Sequence, residues 1–353
     1  MNRKSFLILT GVTAIMVIAA IVQVTQSQQS LTVYSSDGER AFSGLAEKVN
    51  AVSRIDIVSS AAKFSVTRTE KGWGLKDKAD YKVSFEKVKA AIVGLAELKL
   101  LESKTSDPKR YDRLQVEAPD NIKARSLGVT LTGADGKKLA AGIIGKRRAG
   151  LFATGGAGTY LRRDGEALSW LARGAVDLGA EPNDWMVREI VNIEAEDIRR
   201  AVIRQPDGAE IVITKPKRAS RKYAVAGVPE GRKLKDSDEG KNMAGGLWRL
   251  SFEDVKKAGE VKFPEKFNVA EYETFSGLKV RVEMTFVDKT VVWGKFSATV
   301  DASVGDEKSR KKAKEQADKI NVTTTGWVYE LSAGEGEKLT TKIGDILDKK
   351  KAS

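Results

Sequence analysis

Cysteine and histidine are both absent from the 353 residues. Their absence removes disulfides, zinc sites built from Cys and His, haem held by either side chain, thiol nucleophiles and imidazole general bases. What remains is carboxylate, lysine, serine or tyrosine chemistry, or no chemistry. Long apolar runs are also missing beyond residue 24; the best later stretch, Ala90 to Leu98, is interrupted by Glu97 and followed by Lys99. Hydrophobic residues as a class are not scarce: at 41% of the chain they exclude the composition of a disordered protein. The length fits two to three domains of roughly 100 to 200 residues each. Charge is lopsided, with 61 Lys and Arg against 48 Asp and Glu and a formal net charge of +13.

The chain opens Met-Asn-Arg-Lys and then runs apolar from Phe6 to Val24, with no charged residue between Lys4 and Asp37. As a helix rising about 1.5 Å per residue, that run covers most of a hydrocarbon core roughly 30 Å thick. It is longer than the apolar region of about 7 to 15 residues in a secretory signal. Residues 1–24 are therefore expected to be an uncleaved anchor; a cleaved signal and a buried soluble helix are the alternatives. Arg3 and Lys4 predict a cytoplasmic N-terminus, which makes the protein single-pass in an inner membrane with its main body periplasmic. Gly11, Ala14, Ala19 and Ala20 are small enough for close helix packing within the bilayer.

The remaining sequence carries a doubled order of elements. Arg54–Val58 and Lys63–Thr69 read as a β-hairpin, and Ser84 opens a helix with Val88, Ile92 and Leu95 on one face. Strands over Ser126–Thr132 and Lys137–Gly145 flank the turn Ala134-Asp135-Gly136; strands at 151–154 and 159–162 follow, and Glu166–Ala172 reads as a closing helix. Downstream, Ile198–Arg204 and Ala209–Lys215 flank Pro206-Asp207-Gly208, and helices are expected over Glu239–Leu250 and Glu335–Leu347. Between those helices, Leu278–Phe286 and Thr290–Val300 form a hairpin and Trp327–Leu331 a strand. Gly94, Leu95 and Leu98 recur as Gly246, Leu247 and Leu250, Ile55 as Ile198, Gly145 as Gly294, and Tyr160-Leu161 within Tyr329–Leu331. The last match leaves a charged insertion at Asp301–Lys319, read as an exposed helix. A period near 150 residues is a duplicated domain and not a solenoid, whose repeats run about 20 to 50.

The fold expected is α+β: an N-terminal transmembrane helix, a juxtamembrane segment at 25–50, and two tandem related α+β units of antiparallel or mixed sheet covered by helices. The units span 51–180 and 181–353, the second with charged insertions near 216–240 and 301–319.

The segments Arg54-Ile55-Asp56-Ile57 through Gly72-Trp73, the Leu95/Leu98 helix, Val129-Thr130-Leu131 with Ile143-Ile144-Gly145, Thr159-Tyr160-Leu161, and Asn183-Asp184-Trp185-Met186 leading to Pro206-Asp207-Gly208 resemble domain-of-unknown-function family 4340. The resemblance covers most of residues 50–350 through diffuse, ordered features. It implies an accessory extracytoplasmic subunit beside ABC transporter components of the gliding-motility type, with permease and ATPase as partners, and it carries over no catalytic residue. One departure is Tyr111-Asp112-Arg113-Leu114, where members often have a Tyr-Gly-Leu-like turn.

No residue is singled out as catalytic, and no cofactor or metal is expected. The five glycines between Gly145 and Gly158 match neither phosphate-loop pattern, and the strand-to-strand context makes them turns. Glu194, Glu196 and Asp197, like Glu253 and Asp254, read as solvated caps and turns, although a glycosidase would use such carboxylates. Ser84-Phe85-Glu86-Lys87 reads as a helix start. The six tryptophans are assigned to core and interlayer packing. Arg147 and Arg148, and Lys217, Arg218 and Arg221, are candidate contacts for an anionic partner; the basic run Arg310–Lys314 belongs to the same class. Nucleic acid does not suit an exported body lacking any reading motif. The leading expectation is a non-catalytic binding or assembly subunit. An envelope enzyme acting on glycan or lipid through carboxylates, and a binder of peptidoglycan or anionic lipid, are the alternatives.

Overall fold

The structure is a computed structural model and describes residues 38–151, 156–288 and 290–348. The apolar run 6–24, with Gly11, Ala14, Ala19 and Ala20, lies outside those residues. No helix among the described residues is long and apolar enough to cross a membrane.

In chain order the elements are β1 (Val52–Val58), β2 (Lys63–Thr69), β3 (Gly72–Leu75), β4 (Tyr81–Lys82), α1 (Phe85–Glu97), β5 (Lys99–Ser103), the single turn α2 (Tyr111–Leu114), β6 (Leu127–Gly133), β7 (Lys138–Ala149), β8 (Ala157–Arg163) and β9 (Ser169–Arg173). There follow β10 (Glu189–Val191), β11 (Ile198–Arg204), β12 (Glu210–Thr214), β13 (Ala224–Ala226), α3 (Glu239–Ala244), β14 (Leu250–Ser251) and β15 (Asp254–Lys257). The chain closes with β16 (Asn268–Thr274), β17 (Leu278–Phe286), β18 (Val292–Val300), α4 (Glu307–Thr324), β19 (Trp327–Leu331) and α5 (Ala333–Leu339). The fold is mixed α+β and strand-rich.

Two compact units emerge. Unit 1 takes residues up to 73 and 84–182; unit 2 takes 74–83 and 183–353. The division near residue 182 lies two residues past the expected one, but the ten-residue segment 74–83 belongs with the second unit. Its reason is aromatic. The Tyr81 ring stands edge-on to Phe252, Trp327 and Tyr329, at centroid distances of 5.4, 4.9 and 6.2 Å, inside the core of unit 2. Lys78 adds an ion pair to Asp254 at 2.6 Å, and Val83 bridges to Met186.

The first sheet has the order β3-β2-β1-β6-β7-β8-β9-β5, with β4 paired to the end of β3; the second has β13-β12-β11-β16-β17-β18-β19-β15. Strand for strand the two orders are the same. Even a bulge recurs, between Val52 and Arg54 on β1 and between Ile198 and Arg200 on β11. That register makes Val52 the counterpart of Ile198, so Ile55 answers Ala201 and not Ile198. The later matches are corrected by a whole strand. Gly145 lies on β7, whose counterpart is β17, whereas Gly294 lies on β18; Tyr160 lies on β8, the counterpart of β18, and Tyr329 on β19.

The slip has one cause: Glu166–Ala172 is not a helix. Ser169–Arg173 is strand β9, paired to β8 and β5, with Ser169, Leu171 and Ala172 buried. Five residues are too few for periodicity to separate a buried strand from a helical turn. The helices of unit 2 also stop early. Thr340 and Thr341 turn their hydroxyls back to the carbonyls of Gly336 and Glu337 at 2.8 and 2.9 Å, ending α5 before a separate 3-10 turn at Ile343–Ile346. Likewise α3 passes into a 3-10 turn at Gly245–Leu247. The paired leucines behave alike all the same: Leu95, Leu98, Leu247 and Leu250 are all buried.

Helix α1 starts where Ser84 accepts a hydrogen bond from the Lys87 amide, and it buries Val88, Ala91, Ile92 and Leu95. At α2, Gln115 adopts the left-handed conformation (φ 57°) that a glycine would take without strain. Tyr111, within that turn, is held by its hydroxyl donating to the carbonyl of Ala167 and by Arg162 stacked over its ring at 4.7 Å.

Candidate functional site

The cationic candidates divide between the units. Arg147 and Arg148 sit on the exposed far end of β7 in unit 1, opposite Thr159 and Gly158. Lys217, Arg218 and Arg221 lie in unit 2, on the exposed connection between β12 and β13. There the two ends of the segment are fixed. Lys215 is buried; its Nζ donates to the Glu196 carbonyl at 3.0 Å and lies 5.0 Å from the Tyr223 ring centre. The Tyr223 hydroxyl donates to the Ala195 carbonyl at 2.6 Å. Burial lowers the Lys215 pKa and raises that of Tyr223 to about 12. Arg218 is neutralised by Asp197, whereas Lys217 and Arg221 have no ion-pair partner among the described residues.

The larger basic surface is α4, between β18 and β19. Unit 1 has only a short turn between the equivalent β8 and β9. Six cations, Lys308, Arg310, Lys311, Lys312, Lys314 and Lys319, share the helix with Glu307, Glu315 and Asp318. Asp306 caps its first turn by accepting from the Ser309 amide at 2.7 Å. Ala313, Ala317, Ile320 and Thr324 are buried, so the helix expected to be exposed is docked along one stripe while its lysines face outward. Asn321 fixes the docking: its Nδ2 donates to the Ala298 carbonyl and its Oδ1 accepts from the Ala298 amide, both at 2.8 Å. Lys308, Lys311, Lys312, Lys314 and Lys319 remain exposed.

Grooves run beside this helix. One of about 900 Å³ is lined by Val300, Ala302, Lys308, Arg310, Lys311 and Lys314. Another, about 640 Å³, brings Lys312 and Gln316 to the same wall as Asp197 and Arg218, so it joins α4 to the basic connection. A third, about 350 Å³, places Lys82 and Lys319 together over Thr323. Lys82 Nζ donates to Thr323 Oγ1 at 3.1 Å, and burial followed by the Lys319 charge lowers its pKa. Lys82 was not legible as part of this surface, because nothing local reveals that 74–83 joins unit 2.

The carboxylates are mostly engaged. Glu196 pairs with Lys241 at 3.2 Å, Glu253 with Arg188 at 2.8 Å and Asp254 with Lys78 at 2.6 Å. Glu330, opposite Asp254 on neighbouring strands, is raised above the ordinary carboxyl range by burial and then by the Asp254 charge. Neither residue lines the grooves beside α4. Among the described residues no group of three Asp or Glu side chains is placed to hold a metal ion. Of the tryptophans, Trp73, Trp185 and Trp293 are buried, but Trp248 is 56% exposed beside Arg249, whose backbone is left-handed at φ 48°.

The family model described as Domain of unknown function (DUF4340) matches residues 73–270, more than half of the chain. No curated protein and no solved structure matches it.

Proposed function

This chain belongs to the DUF4340 family, and from that premise we propose that it is a non-catalytic accessory subunit of an ABC-type export or envelope transport system. In this reading residues 1–24 anchor it in the inner membrane and the two units form a periplasmic body. The cationic face of unit 2 is its contact surface for an anionic partner. The observation that carries the reading is α4: an eighteen-residue helix at a place where the same sheet order in unit 1 has a turn, docked by small residues and offering lysines outward. A helix latched to β18 by Asn321 so that its lysines face solvent suits association with an anionic surface. Surface lysines steer association and act within about 8 Å at physiological salt, so they matter once a partner is close.

Affinity purification of the full chain from membranes tests this. Recovery of an ABC permease and ATPase, reduced by combining Lys308→Glu, Lys311→Glu and Lys312→Glu, is expected. Failure to recover any transporter subunit overturns it. The same lysines favour a second reading, direct adhesion to anionic lipid or cell-wall polymer. It requires that the body sediment with phosphatidylglycerol vesicles or sacculi in the absence of any other protein.

A further inference from the structure

A second cleft in unit 2 lies apart from the α4 surface, and we infer that it binds a short peptide carrying a lysine or arginine side chain, read by the Asn268 amide. The cleft is about 570 Å³, within the roughly 300 to 1,000 Å³ of small-ligand sites. The β11–β12 turn, the start of β16, the β17–β18 hairpin and the end of α5 line this open cleft.

Asn268 is 6% exposed and lines this cleft, yet its side chain has no hydrogen-bond partner among the described residues. A carboxamide offers two donors and two acceptor lone pairs, and here they open into the cleft, where a ligand can take the place of water. Several neighbouring polar groups are committed to the protein. Gln205 Nε2 donates to the carbonyls of Thr340 and Thr341, at 3.1 Å each, and both threonine hydroxyls are turned back into α5. Asn268, at both ends of its amide, and Gln205 Oε1 are thus left to face an incoming molecule, and apolar Val269 and Ala270, buried beside Asn268, make its amide conspicuous on β16.

The walls specify the rest of the ligand. An extended peptide presents a carbonyl and an amide side by side, the complement of a carboxamide edge. Pro206, Val292 and the half-exposed ring of Phe286 supply an apolar wall for an aliphatic stem. At the rim Asp207, Glu337 and Asp345 outnumber Lys342, which favours a cationic tip. Lysine and arginine combine such a stem with such a tip. This charge preference is opposite to that of the α4 surface, so the two sites take different ligands and fail independently.

The test is calorimetric titration of the full chain with acetyl-Gly-Lys-amide, acetyl-Gly-Glu-amide and N-acetylglucosamine. Saturable binding of the lysine peptide is expected, at least tenfold tighter than that of the glutamate peptide. Asn268→Leu should weaken it at least tenfold, and Glu337→Lys, on the exposed rim, several-fold. Should Asn268→Leu fail to fold, Glu337→Lys decides alone. The absence of saturable binding, equal affinity for the two peptides, unchanged affinity in the variants, or binding of the sugar in place of the lysine peptide would each overturn the assignment. The triple α4 variant should leave this binding unchanged.

Discussion

Tyr81 and Tyr223 are two of the tyrosines through which alkaline pH acts on unit 2; burial raises Tyr272 and Tyr329 further still. Burial pushes the Tyr81 and Tyr223 phenols up to about 12 from an ordinary 10.0. Below pH 10 the hydroxyl is protonated in folded and unfolded chains alike, and its contribution is fully present. Between about 10 and 12 the unfolded chain releases protons that the folded one retains, so stability falls as pH rises. Tyr223→Phe loses the hydrogen bond to Ala195, worth about 1 kcal/mol, but also loses this titration. We expect its melting temperature to lie below that of the parent at pH 8 and the gap to narrow by pH 11. A gap constant across that range would refute the assignment. At this scale the sequence was readable where a residue acts locally. Ser84 caps α1 as its type and position suggest, and Gly136 and Gly208 take the positive φ their turns require (76° and 91°). It was not readable where a partner is remote, as for Lys82 or the unmatched amide of Asn268.

Among the elements, α4 shows how a polar helix is held. Its buried stripe is alanine-rich and contributes little apolar area, so the two hydrogen bonds of Asn321 to β18 carry a large share of the docking. Asn321→Leu leaves the Ala298 amide and carbonyl unpaired beneath the helix and should cost about 1–3 kcal/mol. In a unit of this size that is a drop of about 2–4 °C per kcal/mol, measurable by thermal melting. A melting temperature within 1 °C of the parent, roughly the noise of the method, would show that the latch is dispensable. The helix itself was legible from its charge and spacing; its docking was not, because Ala313, Ala317 and Ile320 form a weak apolar signal within so many charges. Strand β9 was lost for the opposite reason. Trp170, Leu171 and Ala172 are apolar without alternation, and only the pairing to β8 and β5 decides their conformation.

For the whole molecule, the repeated eight-strand order is the strongest statement of kinship between the halves, stronger than any residue match. Unit 2 nonetheless depends on ten residues that precede most of unit 1 in the chain. Tyr81→Ala removes a fully enclosed ring from its aromatic cluster and should cost about 3–5 kcal/mol, as for other large buried aromatics. Hydrogen exchange should then show β15 and β19 losing protection while β1, β6 and β7 keep theirs; uniform loss across both sheets would contradict the division into units. The sequence implied two halves of the same order but not this interleaving, since 74–83 carries no mark of its destination.

That interleaving also dictates a schedule. A chain delivered from its N-terminus presents Tyr81 about 250 residues before Trp327 and Tyr329, the rings that enclose it, have emerged. Through that interval the Tyr81 ring lacks its aromatic cover within an otherwise largely charged segment, and β4 pairs only with the end of β3. Local contacts let the main body of unit 1 complete itself early, while the closure of unit 2 awaits its last strand and bears the loop-closure entropy of the whole span. Premature termination between residues 182 and 327 therefore leaves a chain with one finished sheet and with Tyr81 lacking the rings that enclose it, a form exposed to proteases and to misassembly.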